Sequence, residues 1–278
     1  MPPIRYLIPR VLRHFMPDKA VRFLLLRSWI IRPGLETNQP ALAARHYIEE
    51  LAEAGYSIQG KRILVFGYGG RFAVGCSLLK NGAAQVFLCE KGAPPDDAYN
   101  RQLLADFGDL LIEKNGRVVP QGEKLKLVQG DIRELAGQLG TVDIVLSVSV
   151  YEHLDDVLGI TAALAAVTAP GGIQIHFVDL RDHFFKYPFE MLCYDEKTWR
   201  TWLNPTSNHN RYRLDDYRRT FETFFQQVDI KITGREEAAF TRAKARIRPE
   251  FLSGDEQKDN VTLIRVVVSG LKNPPGGK

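Results

Sequence analysis

Cysteine is scarce. The chain holds three in 278 residues (Cys76, Cys89 and Cys193), an odd number, widely spaced and with no C-x-x-C pair. That pattern argues against a disulfide framework and against a thiolate zinc site, and it points to a reducing compartment. Cys76 and Cys89 sit in apolar runs and read as small core residues. Long apolar runs are lacking too. The best candidate, "FLLLRSWII" at Phe23–Ile31, is short and broken by Arg27, so no bilayer span is expected. No small-residue cleavage site follows it, which makes it a poor secretory leader. There is no internal repeat and no low-complexity tract. Charge of one sign is missing from the body. The net charge is +4, but residues 1–35 hold seven basic residues and one acid, leaving 30 basic and 32 acidic residues in the rest. A nucleic-acid-binding domain carries its positive charge as a stripe along the body, so no nucleic-acid partner is expected.

What is present falls into four parts. Residues 1–35 form a basic N-terminal extension in which Pro9, Pro17 and Pro33 punctuate short amphipathic helices. Arg5, Arg13 and Arg27 alternate there with Leu7, Leu12, Phe15, Phe23 and Trp29. The segment reads as an arm folded over the domain, or as a contact with a membrane surface. The localisation expected is cytoplasmic, with peripheral attachment to the inner face of the membrane as the alternative. Residues 36–270 form one α/β domain. A helix at Asn38–Ser57 precedes a regular rhythm: strand "RILVFG", helix "FAVGCSLLKNGA", strand "QVFLCEKG", a helical stretch "DDAYNRQLLADFGDLL", strand "KLKLVQGD", helix "IRELAGQLG", strand "VDIVLSVSV", helix "DDVLGITAALAAVTAPGG" and strand "GIQIHFVDL". Near-continuous apolar strands alternating with helices predict a parallel, doubly wound, Rossmann-like sheet covered on both faces. Residues 181–220, rich in aromatics, His and Arg, break the rhythm and read as an inserted lid or substrate segment. Two strands, "QQVDIKITGRE" and "NVTLIRVVVSG", flank a helix near Glu236–Ala245 and close a seven-stranded sheet. Residues 271–278 read as a disordered tail.

The turn "FGYGGR" after the first strand is the natural ligand site, because ligands of open α/β sheets bind outside the carboxyl ends of the strands. Gly67 permits a sharp exit, and Gly69 and Gly70 allow positive φ and a close approach of backbone to ligand. The dinucleotide fingerprint would need glycine at position 72, where Phe72 stands, so pyrophosphate binding is disfavoured. Glu90 ends the second strand, where a carboxylate holds ribose hydroxyls. Asp131 follows the third strand, where it can accept from an adenine amino group, cap the helix that follows, or both, with Ile132 packing on the ring.

In this order, "ILVFGYGG … CE … GD … DIVLSVSVYEHL … APGGIQIHFVDLRDHF" resembles the class I S-adenosylmethionine-dependent methyltransferases over roughly residues 60–270, and a poorly characterised bacterial subgroup of them in particular. The resemblance implies S-adenosylmethionine as cofactor. It places Gly67, Gly69 and Gly70 at its methionine and ribose parts, Glu90 at the ribose hydroxyls, and Asp131 with Ile132 at the adenine. The chain departs from the pattern at Val65, where the family carries an acid two residues before the first glycine, and at Arg71, near its third small position. Arg71 reads as a partner for a carboxylate of cofactor or substrate, or as a solvated side chain.

Methyl transfer needs alignment, dryness and, for a hydroxyl acceptor, a base near neutrality. His153 after the fourth strand, with Asp182 and His183 after the fifth, are the candidate catalytic residues. His176 and Asp179 read as a core histidine and a turn cap. The set His176-x-x-Asp179-x-x-Asp182-His183 has the chemistry of a divalent-metal site, but strand alternation sends its members to opposite faces, so no metal is expected. In "NHNRYRLDDYRR", Arg211 and Tyr212 are candidates for contact with a sugar, phosphate or carboxylate. The expected function is O-methylation of a small-molecule or glycan-type acceptor. The alternatives are a cofactor-free binding or scaffold protein on a degenerate methyltransferase fold, a dinucleotide oxidoreductase, or a membrane-peripheral protein led by residues 1–35.

Overall fold

The computed structural model describes residues 4–17, 20, 40–204 and 208–272. Strands β1 (Arg62–Phe66), β2 (Gln85–Glu90), β5 (Leu125–Gln129), β6 (Val142–Val148), β7 (Thr168–Asp179), β8 (Phe225–Arg235) and β9 (Val261–Leu271) form one sheet in the order β5-β2-β1-β6-β7-β9-β8. The first five are parallel; β9 runs antiparallel to both β7 and β8. The seven strands and the antiparallel closing pair agree with the sequence expectation.

Strand alternation divides the core. Ile63, Val65, Val86, Leu88, Ile144 and Leu146 pack on one face against Pro40–Glu53 and Ala73–Lys80. Leu64, Phe66, Phe87, Cys89 and Val145 pack on the other, against Ile132–Leu139, Val157–Val167 and Leu214–Phe224. Both faces are covered, which is why the central strands read as unbroken apolar runs. Successive strands are laid outward from β1 toward β5 and from β6 toward β7, so the strand order reverses between β1 and β6 and opens a crevice at their carboxyl ends.

Three features differ from the expectation. "IEKNGRVVP" is a separate hairpin of β3 (Leu111–Lys114) and β4 (Arg117–Pro120), turned by Asn115 and Gly116 at φ 51° and 75°. Two successive positive φ values are what a tight hairpin demands of its loop, and Asn-Gly supplies them. The helix Ile4–His14 runs through Pro9 rather than stopping there. Pro9 removes one backbone bond, yet both it and Arg5, whose carbonyl loses its partner, are exposed to water. The 181–220 segment, apart from residues 205–207, packs as a third core. In it Phe189, Met191, Leu192, Trp199 and Leu203 meet Phe240, Ala243 and Ile247, with Leu7 and Val11 of the first helix laid against them. Most of the expected N-terminal extension (residues 1–3, 18–19 and 21–39) and the tail from residue 273 lie outside the described residues.

Candidate active site

The site grows from the glycine turn. Gly67 leaves β1 at φ 81°, and a Cβ there would stand 2.3 Å from Val150 Cγ2. Gly70, at φ 83°, would drive a Cβ to 2.4 Å from the Pro94 carbonyl oxygen. Gly69 has open space and needs glycine only for its φ of 65°. Two side chains set the turn. The Gly69 N–H donates to Glu90 Oε2 (3.1 Å), while Glu90 Oε1 accepts from Gly92 and Ala93. Fully buried Asn100 accepts from Phe72 N–H (3.0 Å) and donates to the Gly70 carbonyl (3.0 Å). Sequence reasoning passed over Asn100; nothing in "DDAYNRQ" marks it apart from its distance of one βα unit from the turn. Arg71 lies 4.1 Å from the Tyr99 ring centroid and pairs with Asp96.

A cleft of about 460 Å³ opens at the carboxyl ends of β1, β2, β5 and β6. Gly67, Glu90, Asp131, Ile132, Val150 and His153 are among its walls; Gly69 and Gly70 are not. The residues fit a nucleoside-bearing cofactor on three counts. The volume suits a small-molecule site. Glu90 keeps unused acceptor capacity beyond its three backbone donors, since an ionised carboxylate offers about four lone pairs. Ile132 supplies an apolar surface beside two carboxylates. Asp131 is committed elsewhere as well. It caps Ile132–Leu139 through Arg133 N–H, and its carboxylate meets the Arg133 guanidinium (2.5 Å) and Lys91 (3.0 Å), which holds its pKa far below the ordinary carboxylate range. Val65 is fully buried inside the sheet, so no acid stands at that point of the turn.

Beyond the cleft the sequence-predicted residues separate. His153, on the turn Tyr151–His153, lies on the cleft wall, donates from Nδ1 to the Asn208 carbonyl (2.9 Å) and stands 4.8 Å from the His183 ring. His209, unremarked in the sequence, completes a trio, 4.6 Å from His183 and 5.7 Å from His153. Burial holds His183 at a pKa of about 2 and pushes His209 well down, with neighbouring histidines and Arg10 and Arg13 acting in the same direction. Glu152 is buried beside them and its pKa is raised well above the usual, chiefly by loss of solvent. Asp182, by contrast, is fully buried against the N-terminal helix. It accepts from Tyr6 Oη (2.5 Å) and from Phe184 N–H and pairs with Arg10. Asp179 is held by Arg181, and His176 sits in the core between Ser147 and Gln174. Arg211 is buried, donates to the carbonyls of Met191 and Tyr194 and pairs with Glu196. Tyr212 is half-buried and packs on Tyr217. Arg211 therefore organises the 181–220 segment.

An open doubly wound sheet with a cleft of this kind, its turn tied by a carboxylate from the neighbouring strand, defines a nucleotide-type cofactor-binding α/β protein. Residues 100–176 match the family model of a methyltransferase domain, a span that holds β5, β6 and Asp131 but neither the glycine turn nor Glu90. No curated protein matches the sequence. Among solved structures, a candidate sarcosine dimethylglycine methyltransferase from Galdieria sulphuraria is similar over 90% of this chain and 97% of its own, at 13% identity and TM-score 0.53. An S-adenosylmethionine-dependent methyltransferase from Mesorhizobium loti matches over 84% of this chain and 99% of its own, at 14% identity and TM-score 0.45. The match to a methyltransferase domain is confined to residues 100–176, and the fold of the whole chain is the one the Galdieria sulphuraria structure shares.

Proposed function

We propose that this chain methylates a small-molecule or glycan-type acceptor at oxygen, with S-adenosylmethionine held in the 460 Å³ cleft. The observation that carries the reading is His153. It belongs at once to the wall of the cofactor cleft and to the histidine cluster beyond it. When bound, the cofactor supplies an electrophilic methyl on a sulfonium. The chain's own residues do the rest. Gly67 lets backbone approach the ligand, Glu90 accepts from ribose hydroxyls, and Ile132 with Asp131 flanks the base. His153, whose Nδ1–H is held on the Asn208 carbonyl, presents Nε2 to take the proton of an acceptor hydroxyl as it attacks. Asn208 brings the 181–220 segment to the cleft wall, where it limits water at the reacting centre.

Calorimetry with S-adenosylmethionine and S-adenosylhomocysteine tests the cofactor. Binding in the micromolar range by the native chain, weakened at least tenfold by Glu90→Ala, is expected. A well-folded native chain that binds neither sinks the reading and leaves a scaffold whose missing acid at Val65 has ended cofactor use.

A second reading concerns the surface. Ile4, Ile8, Leu12 and Phe15 are 71%, 56%, 64% and 62% exposed along one side of the first helix, and Phe15 packs beside exposed Trp202. With exposed Arg5 on the same helix, this stripe fits the surface of an anionic membrane. Among the described residues no helix is long and apolar enough to cross a bilayer. Co-flotation with vesicles rich in anionic lipid, lost in Ile8→Glu/Leu12→Glu, is expected; flotation unaffected by those changes contradicts it.

A further inference from the structure

We infer that Glu152, His153 and His183 bind a divalent first-row transition-metal ion beside the cofactor cleft. The three side chains come from two connections, the turn after β6 and the segment after β7. One ligand atom from each lies within 4.8 Å of the others. His183 Nε2 stands 3.9 Å from Glu152 Oε1. A tetrahedral set at ~2.1 Å from zinc has edges of ~3.4 Å, so modest side-chain rotations close the site.

Two independent observations point to a cation. Glu152 is 1% exposed, yet neither carboxylate oxygen makes a hydrogen bond of ordinary geometry. The Ser149 hydroxyl and the N–H groups of Glu152 and Asp179 lie on its side and favour its ionised form without meeting it squarely. A buried carboxylate left this way is expensive, and a bound cation resolves it. His209 Nε2 is likewise buried and without a partner, on a ring 4.6 Å from that of His183. The surroundings already carry the support that a ligand histidine uses. His153 donates its Nδ1–H to the Asn208 carbonyl, and the Asn208 amide donates back to the His153 carbonyl (3.1 Å), which fixes the ring with Nε2 as the atom bearing the lone pair. Arg10, whose charge reaches His183 and His209, is neutralised by Asp182. Arg13 lies one turn along the same helix, half-buried.

The donor set is imidazole and carboxylate with no thiolate, which suits zinc, cobalt, nickel or iron(II) and disfavours magnesium and calcium. Three protein ligands leave at least one position open, and His153 places that position at the cleft wall. Use of the ion to hold an acceptor oxygen rests on the methyltransferase reading; metal binding does not.

The test is therefore of binding. The full-length chain, stripped with chelator and free of any histidine tag, is dialysed against Zn²⁺ and its metal content measured; Co²⁺ is titrated in parallel and followed by visible absorbance. One equivalent per chain is expected, with a cobalt spectrum of imidazole–carboxylate coordination. His183→Ala should lower affinity by about tenfold or more, and Glu152→Gln should do the same if it folds. The surface variant His46→Ala should bind as the native chain does. A folded native chain that takes up no stoichiometric zinc or cobalt overturns the inference, and so does undiminished binding by His183→Ala. Calorimetry with S-adenosylhomocysteine on the metal-free chain reports separately on the cofactor cleft.

Discussion

Replacing Gly67 with alanine separates two reasons for that glycine. The first is backbone: alanine at φ 81° carries roughly 1–2 kcal/mol of left-handed strain. The second is space. The new methyl would stand 2.3 Å from Val150 Cγ2 and 3.0 Å from Cγ1, an overpacked contact that costs about 1–3 kcal/mol to relieve. Gly67→Ala should therefore destabilise by about 2–5 kcal/mol. Val150→Ala alone removes two methylene-sized groups from a half-buried side chain, about 1 kcal/mol. In the double variant the clash disappears and only strain and lost burial remain. The pair should thus be more stable than the sum of the singles by about 1–3 kcal/mol, well beyond the ~0.3–0.5 kcal/mol of additive sites. Urea unfolding of the four proteins, at constant m-value, measures this coupling. Additivity within error would refute the reasoning, because it would mean that Val150 does not shape the turn.

Asn100→Ala strands the buried Phe72 N–H and Gly70 carbonyl and should cost about 2–4 kcal/mol in urea unfolding; a loss under 1 kcal/mol would show that the turn holds without it. Asp182→Asn leaves buried Arg10 without its counter-charge, which should release the Ile4–His14 helix and speed proteolysis near residues 4–17; an unchanged cleavage rate would contradict that docking role. His176 is depressed by burial from 6.5 to a pKa of about 3, so the native state binds fewer protons than the unfolded chain between those values. Its contribution is present above pH 6.5 and is lost as pH falls toward 3, at about 1.4 kcal/mol per pH unit. His176→Gln should flatten the acid slope of stability by one proton, with His183 and His209 supplying what remains; a slope identical to the native one would show that His176 protonates freely.

The fold was legible because the sheet is covered on both faces. Strands such as "RILVF" and "VDIVLSV" must then be apolar at every position, and that signal survives without any knowledge of contacts. The β3–β4 hairpin carried an equally local sign in Asn115-Gly116, which a helical reading of the stretch before it obscured. The glycine turn was half legible. Positive φ announces glycine at 67, 69 and 70, but the side chains that tie the turn, Glu90 and Asn100, lie about 20 and 30 residues on. Only Glu90 occupies a position that strand ends make predictable.

The histidine cluster shows why the rest was hidden. Proximity in sequence grouped His176, Asp179, Asp182 and His183, yet alternation along β7 sends His176 into the core, and the turns beyond it give Asp179 to Arg181 and Asp182 to the N-terminal helix. Only His183 remains to meet His153, which stands on the cleft wall. Its neighbours there arrive from elsewhere: Glu152 and His153 from the end of β6, and His209 from the far end of the 181–220 segment. Strand ends converge in space, not in sequence. Convergent residues therefore have to be sought one per strand end, and a dense motif on a single strand argues against a shared site.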